Sequence, residues 1–308
     1  MAGVTLLDGG TGRELKRMGA PFRQPEWSAL ALLEAPEYVT RVHAAFIAAG
    51  ADVITTNSYA VVPFHIGADR FASDGARLAA LAGHLAREAA ANADRDGAQH
   101  EVRVAGSLPP ICGSYRADWF DPAFARPILA TLVAALRPSI DHWQAETLSS
   151  IAEAKLVRDV IGTDGKPLWL SFTLRDDADA RLSDPCLRSG EPVAAAVESA
   201  LALGAEALLF NCSQPEVMGG AVSVAAQLVG GAATPEARRI RIGVYANAFA
   251  NPSKEPQANA ELLAIRADLT PRGYLAWVDD WIDRGARIVG GCCGIGPEHI
   301  RVIRDSLA

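Results

Sequence analysis

Cysteine, basic charge and uninterrupted apolar sequence are all scarce in this 308-residue chain, and each shortage removes a class of protein. Five cysteines, an odd number thinly spread, do not make the disulfide framework of a small secreted domain. In a reducing compartment, thiols that matter bind metal or react. With 29 basic against 36 acidic residues the formal charge is -7, which gives no electrostatic reason to expect nucleic acid or an anionic membrane as partner. No segment reaches about 18 uninterrupted apolar residues. The start, Met1-Ala-Gly-Val-Thr-Leu-Leu-Asp8, lacks the basic-then-apolar pattern of a leader. The expectation is a cytoplasmic protein whose partners are small molecules.

Nucleotide-binding signatures are missing too. Gly10-Thr-Gly12 and Gly294-Ile-Gly296 are fragments without a third glycine at the right offset. The six histidines form no helical metal pair: His43 and His84 fall in helical segments, His142 lies just before a strand and His299 is in the last helix. No low-complexity segment is present, although 230–234 and 251–260 read as irregular loops and Arg238-Arg239 as solvated surface.

What is present is alternation. Short Val, Ile and Leu-rich runs at Val4–Asp8, Asp52–Thr56, Val102–Ser107, Trp143–Glu146, Leu168–Thr173, Ala207–Asn211, Ile240–Ala246 and Arg287–Gly291 predict eight strands. Ala-rich stretches with helical spacing follow them, at Pro36–Ala49, Arg70–Asn92, Pro122–Ile140, Ser150–Ile161, Pro192–Leu203, Pro215–Val229, Pro271–Arg284 and Pro297–Ser306. Proline suits a first helical turn, where its missing N–H has no intrahelical partner. Glycines at 50, 204 and 285 offer the left-handed stop. Eight strand-helix units without a composition break predict one α/β domain over 1–308, a single (β/α)8 TIM barrel.

Barrel enzymes build their sites at the C-terminal strand ends, and here those ends are polar. They carry Asp8-Gly-Gly-Thr11, Thr55-Thr-Asn57, Glu146-Thr147, Asn211-Cys212 and Cys292-Cys293. Singly, each cysteine reads as a small buried hydrophobe, and Cys112 and Cys186 stay so. Jointly, Cys212, Cys292 and Cys293 come to one rim in a barrel, and three thiolates leave a fourth tetrahedral position open, as catalytic zinc sites do. Adjacent residues of a strand point to opposite faces, so both members of the pair reach one metal only through a bend. Gly290, Gly291 and Gly294 are expected to permit it.

These motifs resemble the homocysteine S-methyltransferase family. The resemblance rests on Leu6-Leu-Asp-Gly-Gly-Thr-Gly12, Ala51-Asp-Val-Ile-Thr-Thr-Asn57, Glu146-Thr147, Phe210-Asn-Cys212 and Gly290-Gly-Cys-Cys-Gly294, which run in order through nearly the whole chain. It implies a zinc ion on Cys212, Cys292 and Cys293. It also implies homocysteine held by its amino-acid part at Asp8, Gly9, Gly10, Thr11, Glu146 and Asn211, the carboxylates on the ammonium and the Gly9 and Gly10 N–H groups on the carboxylate. The implied reaction is methyl transfer from an onium donor (S-methylmethionine, S-adenosylmethionine or a betaine-like compound) to the homocysteine thiolate, giving methionine. At 308 residues there is no room for folate and cobalamin modules, so a standalone onium-dependent enzyme is expected.

A cationic methyl donor suits an aromatic cage. Tyr59, Tyr115, Trp119, Phe172 and Trp27 are candidates, and Ser213–Glu216 and Tyr245–Asn247 are places where donor contacts could differ. Two other functions fit the same residues. One is a demethylase that disposes of a methylated onium compound with homocysteine as acceptor; the other is a non-catalytic zinc or thiol sensor whose vicinal cysteines oxidise reversibly.

Overall fold

In a computed structural model, which describes residues 3–95, 101–177, 184–232, 234–235, 239–250 and 264–308, each expected strand has its counterpart. They are β1 (Thr5–Leu6), β2 (Val53–Thr55), β3 (Arg103–Leu108), β4 (His142–Leu148), β5 (Leu168–Phe172), β6 (Ala207–Asn211), β7 (Arg241–Tyr245) and β8 (Ile288–Val289). All neighbours are parallel, in the order β1-β8-β7-β6-β5-β4-β3-β2. A parallel bridge between Leu7 and Val53, with Asp8 N–H donating to Val53 at 3.0 Å, joins the first strand to the second. The sheet thus curves round into a (β/α)8 barrel. The expected loop at 251–260 lies outside the described residues, as do position 233 and Arg238.

Period-two alternation separates two apolar shells. On β6, Ala207 and Leu209 face the barrel interior while Leu208 and Phe210 pack under the helices. On β5, Trp169 faces in and Leu168, Leu170 and Phe172 face out. β4 departs from this scheme. Trp143 and Ala145 pack outward, so the inward positions are His142, Gln144 and Glu146, all buried and all polar. The stripe is only partly satisfied: Gln144 donates to the Tyr245 hydroxyl at 3.3 Å, while Gln144 Oε1 and both His142 ring nitrogens have no hydrogen-bond partner among the described residues.

The helices are α1 (Thr11–Arg17), α2 (Ala29–Glu34), α3 (Glu37–Ala48), α4 (Pro63–Ile66), α5 (Ala68–Arg95), α6 (Pro122–Leu136), α7 (Ile151–Ile161), α8 (Val193–Ala202), α9 (Pro215–Gly230), α10 (Pro271–Asp283) and α11 (Pro297–Leu307). Proline opens α6, α9, α10 and α11, and Gly50, Gly204 and Gly285 have φ of 102°, 67° and 118°, as the stop requires. Helix α6 stops short of its expected end, because Pro138 follows and the chain tightens into a 3-10 turn over Arg137–Ser139. Helices α1, α2 and α4 have no counterpart among the expected ones; each is short. No helix of the described residues is long and apolar enough to cross a membrane.

One side chain ties helix to rim. The Tyr274 hydroxyl, buried on α10, accepts from Ala246 N–H at 3.1 Å and donates to the Gly290 carbonyl at 2.8 Å, spanning the ends of β7 and β8. Replacing Tyr274 with Phe removes the partner of both buried groups. A loss of about 1–3 kcal/mol in urea unfolding is expected; a variant as stable as the parent overturns that accounting.

Candidate metal and substrate site

Strand β7 lies between β6 and β8, and its end holds both cysteine loops. Cys212 N–H donates to the Tyr245 carbonyl at 3.3 Å, Cys292 N–H to the Ala246 carbonyl at 2.9 Å, and Ala248 N–H to the Cys293 carbonyl at 2.8 Å. Residues two strands apart are separated by about 9.6 Å within a sheet. The Cα atoms of Cys212 and Cys292 are only 5.8 Å apart, so both loops curl inward over the end of β7.

The three Sγ atoms of Cys212, Cys292 and Cys293 lie within 4.8 Å of one another. A tetrahedral zinc-thiolate centre has Zn–S of about 2.3 Å and sulfurs about 3.8 Å apart, so this donor set fits such an ion after small adjustments. Cys212 and Cys292 are joined as a disulfide, and Cys293 is a free thiol. This differs from the expected behaviour of the cysteines in two ways. A disulfide is present, and it links the two loops rather than the vicinal pair. Disulfide and metal-bound thiolates are alternative states of the same sulfurs. Burial pushes the Cys293 thiol up to about 11, against the pull of the Arg13 guanidinium.

Glycine serves this rim mainly by letting backbones approach. A Cβ on Gly10 would lie 2.7 Å from the Cys292 carbonyl oxygen and 3.0 Å from Cys293 Cα, so the Asp8-Gly-Gly turn packs directly on the cysteine loop. Gly290 and Gly291 do not supply the expected bend; they make room for Leu7 and Ile295. The left-handed residue is Gly294, at φ 88°.

Two buried carboxylates face the same cavity, whose volume is about 1080 Å³. Asp8 accepts from Thr55 N–H at 2.7 Å and from its hydroxyl at 3.1 Å, and Glu146 accepts from the Ser107 hydroxyl. Burial raises both carboxyls to about 7; at Asp8 the Thr55 bonds oppose the rise and the Glu146 charge adds to it, while Ser107, Tyr245 and Gln144 oppose the rise at Glu146. A cation bound between them would offset that desolvation and hold both ionised.

The other expected contacts divide. Gly9, Gly10 and Thr11 line the cavity, but Gly10 N–H already donates to the Ile295 carbonyl at 2.9 Å and is not available to a substrate carboxylate. Asn211 does not line it. Its amide is consumed within the rim, accepting from Thr147 N–H at 2.9 Å and Ser171 Oγ at 2.8 Å and donating to Thr147 Oγ1 at 2.9 Å. These bonds hold Thr147 in the left-handed conformation, φ 60°. Trp27, Tyr59 and Tyr115 line the cavity; Trp119 is 41% exposed outside it, and Phe172 faces the helices by alternation. Gln214, Tyr245 and Asn247 line it from the two suspected donor segments. Sequence reading missed Gln144, Asp176 and Arg188; counting by two from Glu146 would have found Gln144.

Strain gathers here as well. The non-glycine residues with positive φ among the described residues are Trp27, Tyr115, Thr147 and Cys212, and all of them line this cavity. Such conformations cost roughly 1–3 kcal/mol each and cluster at functional sites.

A parallel barrel that gathers three sulfurs and two buried carboxylates at its C-terminal rim is an enzyme architecture whose chemistry centres on sulfur. The sequence profile described as homocysteine S-methyltransferase matches residues 5–307, so the chain belongs to the homocysteine S-methyltransferase family and is a methyltransferase. It is 30% identical to "Homocysteine S-methyltransferase" of Escherichia coli strain K12, over 98% of this chain and 94% of that one. It is 26% identical to "Selenocysteine methyltransferase" of Astragalus bisulcatus, over 99% of this chain and 93% of that one. The crystal structures of the homocysteine methyltransferase MmuM from Escherichia coli in metallated and oxidized forms match with TM-scores of 0.74 and 0.75, at 26% and 25% identity, covering 99% and 98% of this chain and 96% of that chain in each form.

The raised carboxyls make a stability prediction. Asp8 keeps its proton up to about pH 7 when folded, whereas the ordinary value is 3.8, so the folded state binds the extra proton and loses stability as pH rises between those values. Asp8→Asn keeps the hydrogen-bonding shape without the charge. Ligand-free Asp8→Asn is expected to be more stable than the parent at pH 8, by on the order of 1–2 kcal/mol, with the difference shrinking toward pH 4. Thermal melts across that range check this; a gap that widens at low pH contradicts it.

Proposed function

We propose that this protein transfers a methyl group from an onium donor to the thiolate of homocysteine, giving methionine, with zinc held by Cys212, Cys292 and Cys293. The observation that carries the reading is the convergence of three Sγ atoms within 4.8 Å in a cavity that also holds buried Asp8 and Glu146. Zinc bound there supplies a Lewis acid that keeps a fourth, substrate sulfur deprotonated near neutral pH. That the Escherichia coli homocysteine methyltransferase has a metallated form supports a metal in this reading.

The chain's own residues then orient the substrates. Asp8, positioned by Thr55, and Glu146, positioned by Ser107, receive the α-ammonium group, and that cation restores their charge. Gly9 and Thr11 border the amino-acid end. The homocysteine sulfur attacks the donor methyl in line; the sulfur–carbon bond forms as the methyl–onium bond breaks, and the bonding pair returns to the donor heteroatom, which leaves neutral. No proton moves in this step, and no histidine lines the cavity among the described residues. Pre-orientation supplies the rate. The reading requires the Cys212–Cys292 bond to be reduced to two thiols, with two electrons and two protons from an external thiol or phosphine. We read 1–308 as one such barrel domain, working in the cytoplasm on small molecules.

Metal analysis of the reduced protein after zinc addition is expected to give about one zinc per chain. Cys293→Ala, which spares the disulfide pair, is expected to lose both metal and methionine formation. Homocysteine should yield methionine with at least one of S-methylmethionine, S-adenosylmethionine, glycine betaine or dimethylsulfoniopropionate. A reduced protein that stays metal-free in excess zinc would sink the reading.

A further inference from the structure

The other end of the barrel carries a cluster that the cysteine rim does not use. Alternation in step with Leu7, Ala105 and Tyr245 turns Thr5, Arg103 and Arg241 inward, where His142 also points. Each of these four is the first residue of its strand, β1, β3, β7 and β4. Trp169, second on β5, is fully buried among the inward residues. The guanidinium carbons of Arg103 and Arg241 stand 5.3 and 5.1 Å from the centroid of its ring, and the centroid of the His142 ring is 4.0 Å away. Arg241 precedes Tyr245, at the rim end of β7, by four residues or about 13 Å, so the cluster lies well below the sulfurs.

The donors of this cluster are short of acceptors. Arg241 donates through Nη1 to Thr5 Oγ1 at 3.0 Å, but its Nε and Nη2 are buried without a hydrogen-bond partner. Those two N–H groups lie on one edge of the planar guanidinium and point the same way. Trp169 Nε1 and both His142 ring nitrogens are likewise buried without a partner. Among the described residues neither Arg103 nor Arg241 forms an ion pair. The acidic group that acts on Arg241 is Glu206, which is exposed and beyond ion-pair distance. Burial, and after it the Arg103 charge, lowers the pKa of Arg241; burial and then both arginines push His142 well below its ordinary value. An indole face answers the charge of a guanidinium, but N–H groups in the guanidinium plane still need acceptors.

We infer that this cluster is an anion site, in which the Nε–Nη2 edge of Arg241 holds a monovalent inorganic anion of chloride size at the N-terminal end of the barrel. A water molecule could accept from two of these donors but would leave the Arg241 charge uncompensated in the interior. One negative charge balances Arg241, and half-buried Arg103 keeps its access to solvent. A halide also brings no proton of its own. Hydrogenphosphate does, and Thr5 Oγ1, a hydroxyl acceptor of the cluster, is already engaged by Arg241. Bound there, the anion joins β7 to the side chains of β4 and β5 and stabilises the folded barrel by mass action. The site is independent of the methyl-transfer reading.

The test uses the full chain without metal and with Cys212 and Cys292 joined, so that no zinc competes for the halide. Thermal melts are run in sodium chloride, sodium bromide and sodium gluconate at one ionic strength, gluconate being too large for the interior. The quantity read is the halide-minus-gluconate difference in Tm, compared between wild type and variant so that general salt effects cancel. Wild type is expected to gain about 2 °C or more over the variant Arg241→Met, saturably with halide concentration. Arg241→Lys, which keeps the charge without the paired donors, should fall between. Bromide-soaked crystals of the wild-type protein should show an anomalous peak at the Nε–Nη2 edge of Arg241, a readout that holds even where a variant fails to fold. No peak there and no halide-specific gain means that water alone meets these donors, and the proposal fails. A gain that persists in Arg241→Met places the anion elsewhere and overturns it equally. A peak in the crystal without any gain in Tm marks an adventitious ion only, and overturns it too.

Discussion

Two backbone carbonyls, those of Tyr245 and Ala246 at the end of β7, hold the rim together. Each accepts the N–H of a cysteine, one from the loop after β6 and one from the loop after β8. Hydrogen bonds to a shared neighbouring strand are what allow residues 80 positions apart in sequence to be placed within one coordination sphere. Tyr274 then fixes β7 to β8 from outside by bonding to Ala246 and Gly290, so the rim is braced on both sides of the central strand. Loosening this strand end would separate the sulfurs without touching any of them.

Around that frame the protein carries several unfavourable features at one place. Asp8 and Glu146 are buried with raised carboxyl values, and four non-glycine residues adopt left-handed backbone angles. Each is locally destabilising, and each is over-determined by neighbours: Thr55 and Ser107 orient the carboxylates, and the Asn211 amide clamps Thr147. The large apolar shells under the helices supply the stability that tolerates them. Such a site is ready for its ligands before they arrive, so little binding energy is diverted into ordering it.

The barrel was legible because its signals are periodic. Runs such as Ala207–Asn211 and Leu168–Phe172 are short, apolar and separated by Ala-rich helical stretches, and a parallel sheet buried on both faces leaves that trace. The cysteines and Asp8 were legible because they sit at strand ends, where a barrel gathers polar residues. The remainder depends on three-dimensional detail that spacing does not carry. Asn211 lies at a strand end like the others, yet its amide is spent on Thr147 and Ser171; Phe172 ends a strand but points outward. The glycines around the cysteine pair invited an argument from backbone freedom, whereas steric contact with Leu7 and Ile295 explains two of them. Asp176 and Arg188 belong to a connection without periodicity, where charges read as surface until the fold turns them inward.

The contact of Gly10 with the backbone of Cys292 and Cys293 has a consequence for the order in which the molecule is made. The turn after the first strand is synthesised early, and the loop it packs against follows the eighth strand. Until that last loop has emerged, the rim holds one of its three sulfurs and the Asp8 turn lacks the surface it rests on. A partly synthesised chain therefore offers a passing metal ion only a single weak ligand from this set. The complete donor set comes into being only with the closed barrel, so on the proposed zinc reading metal loading would report finished folding.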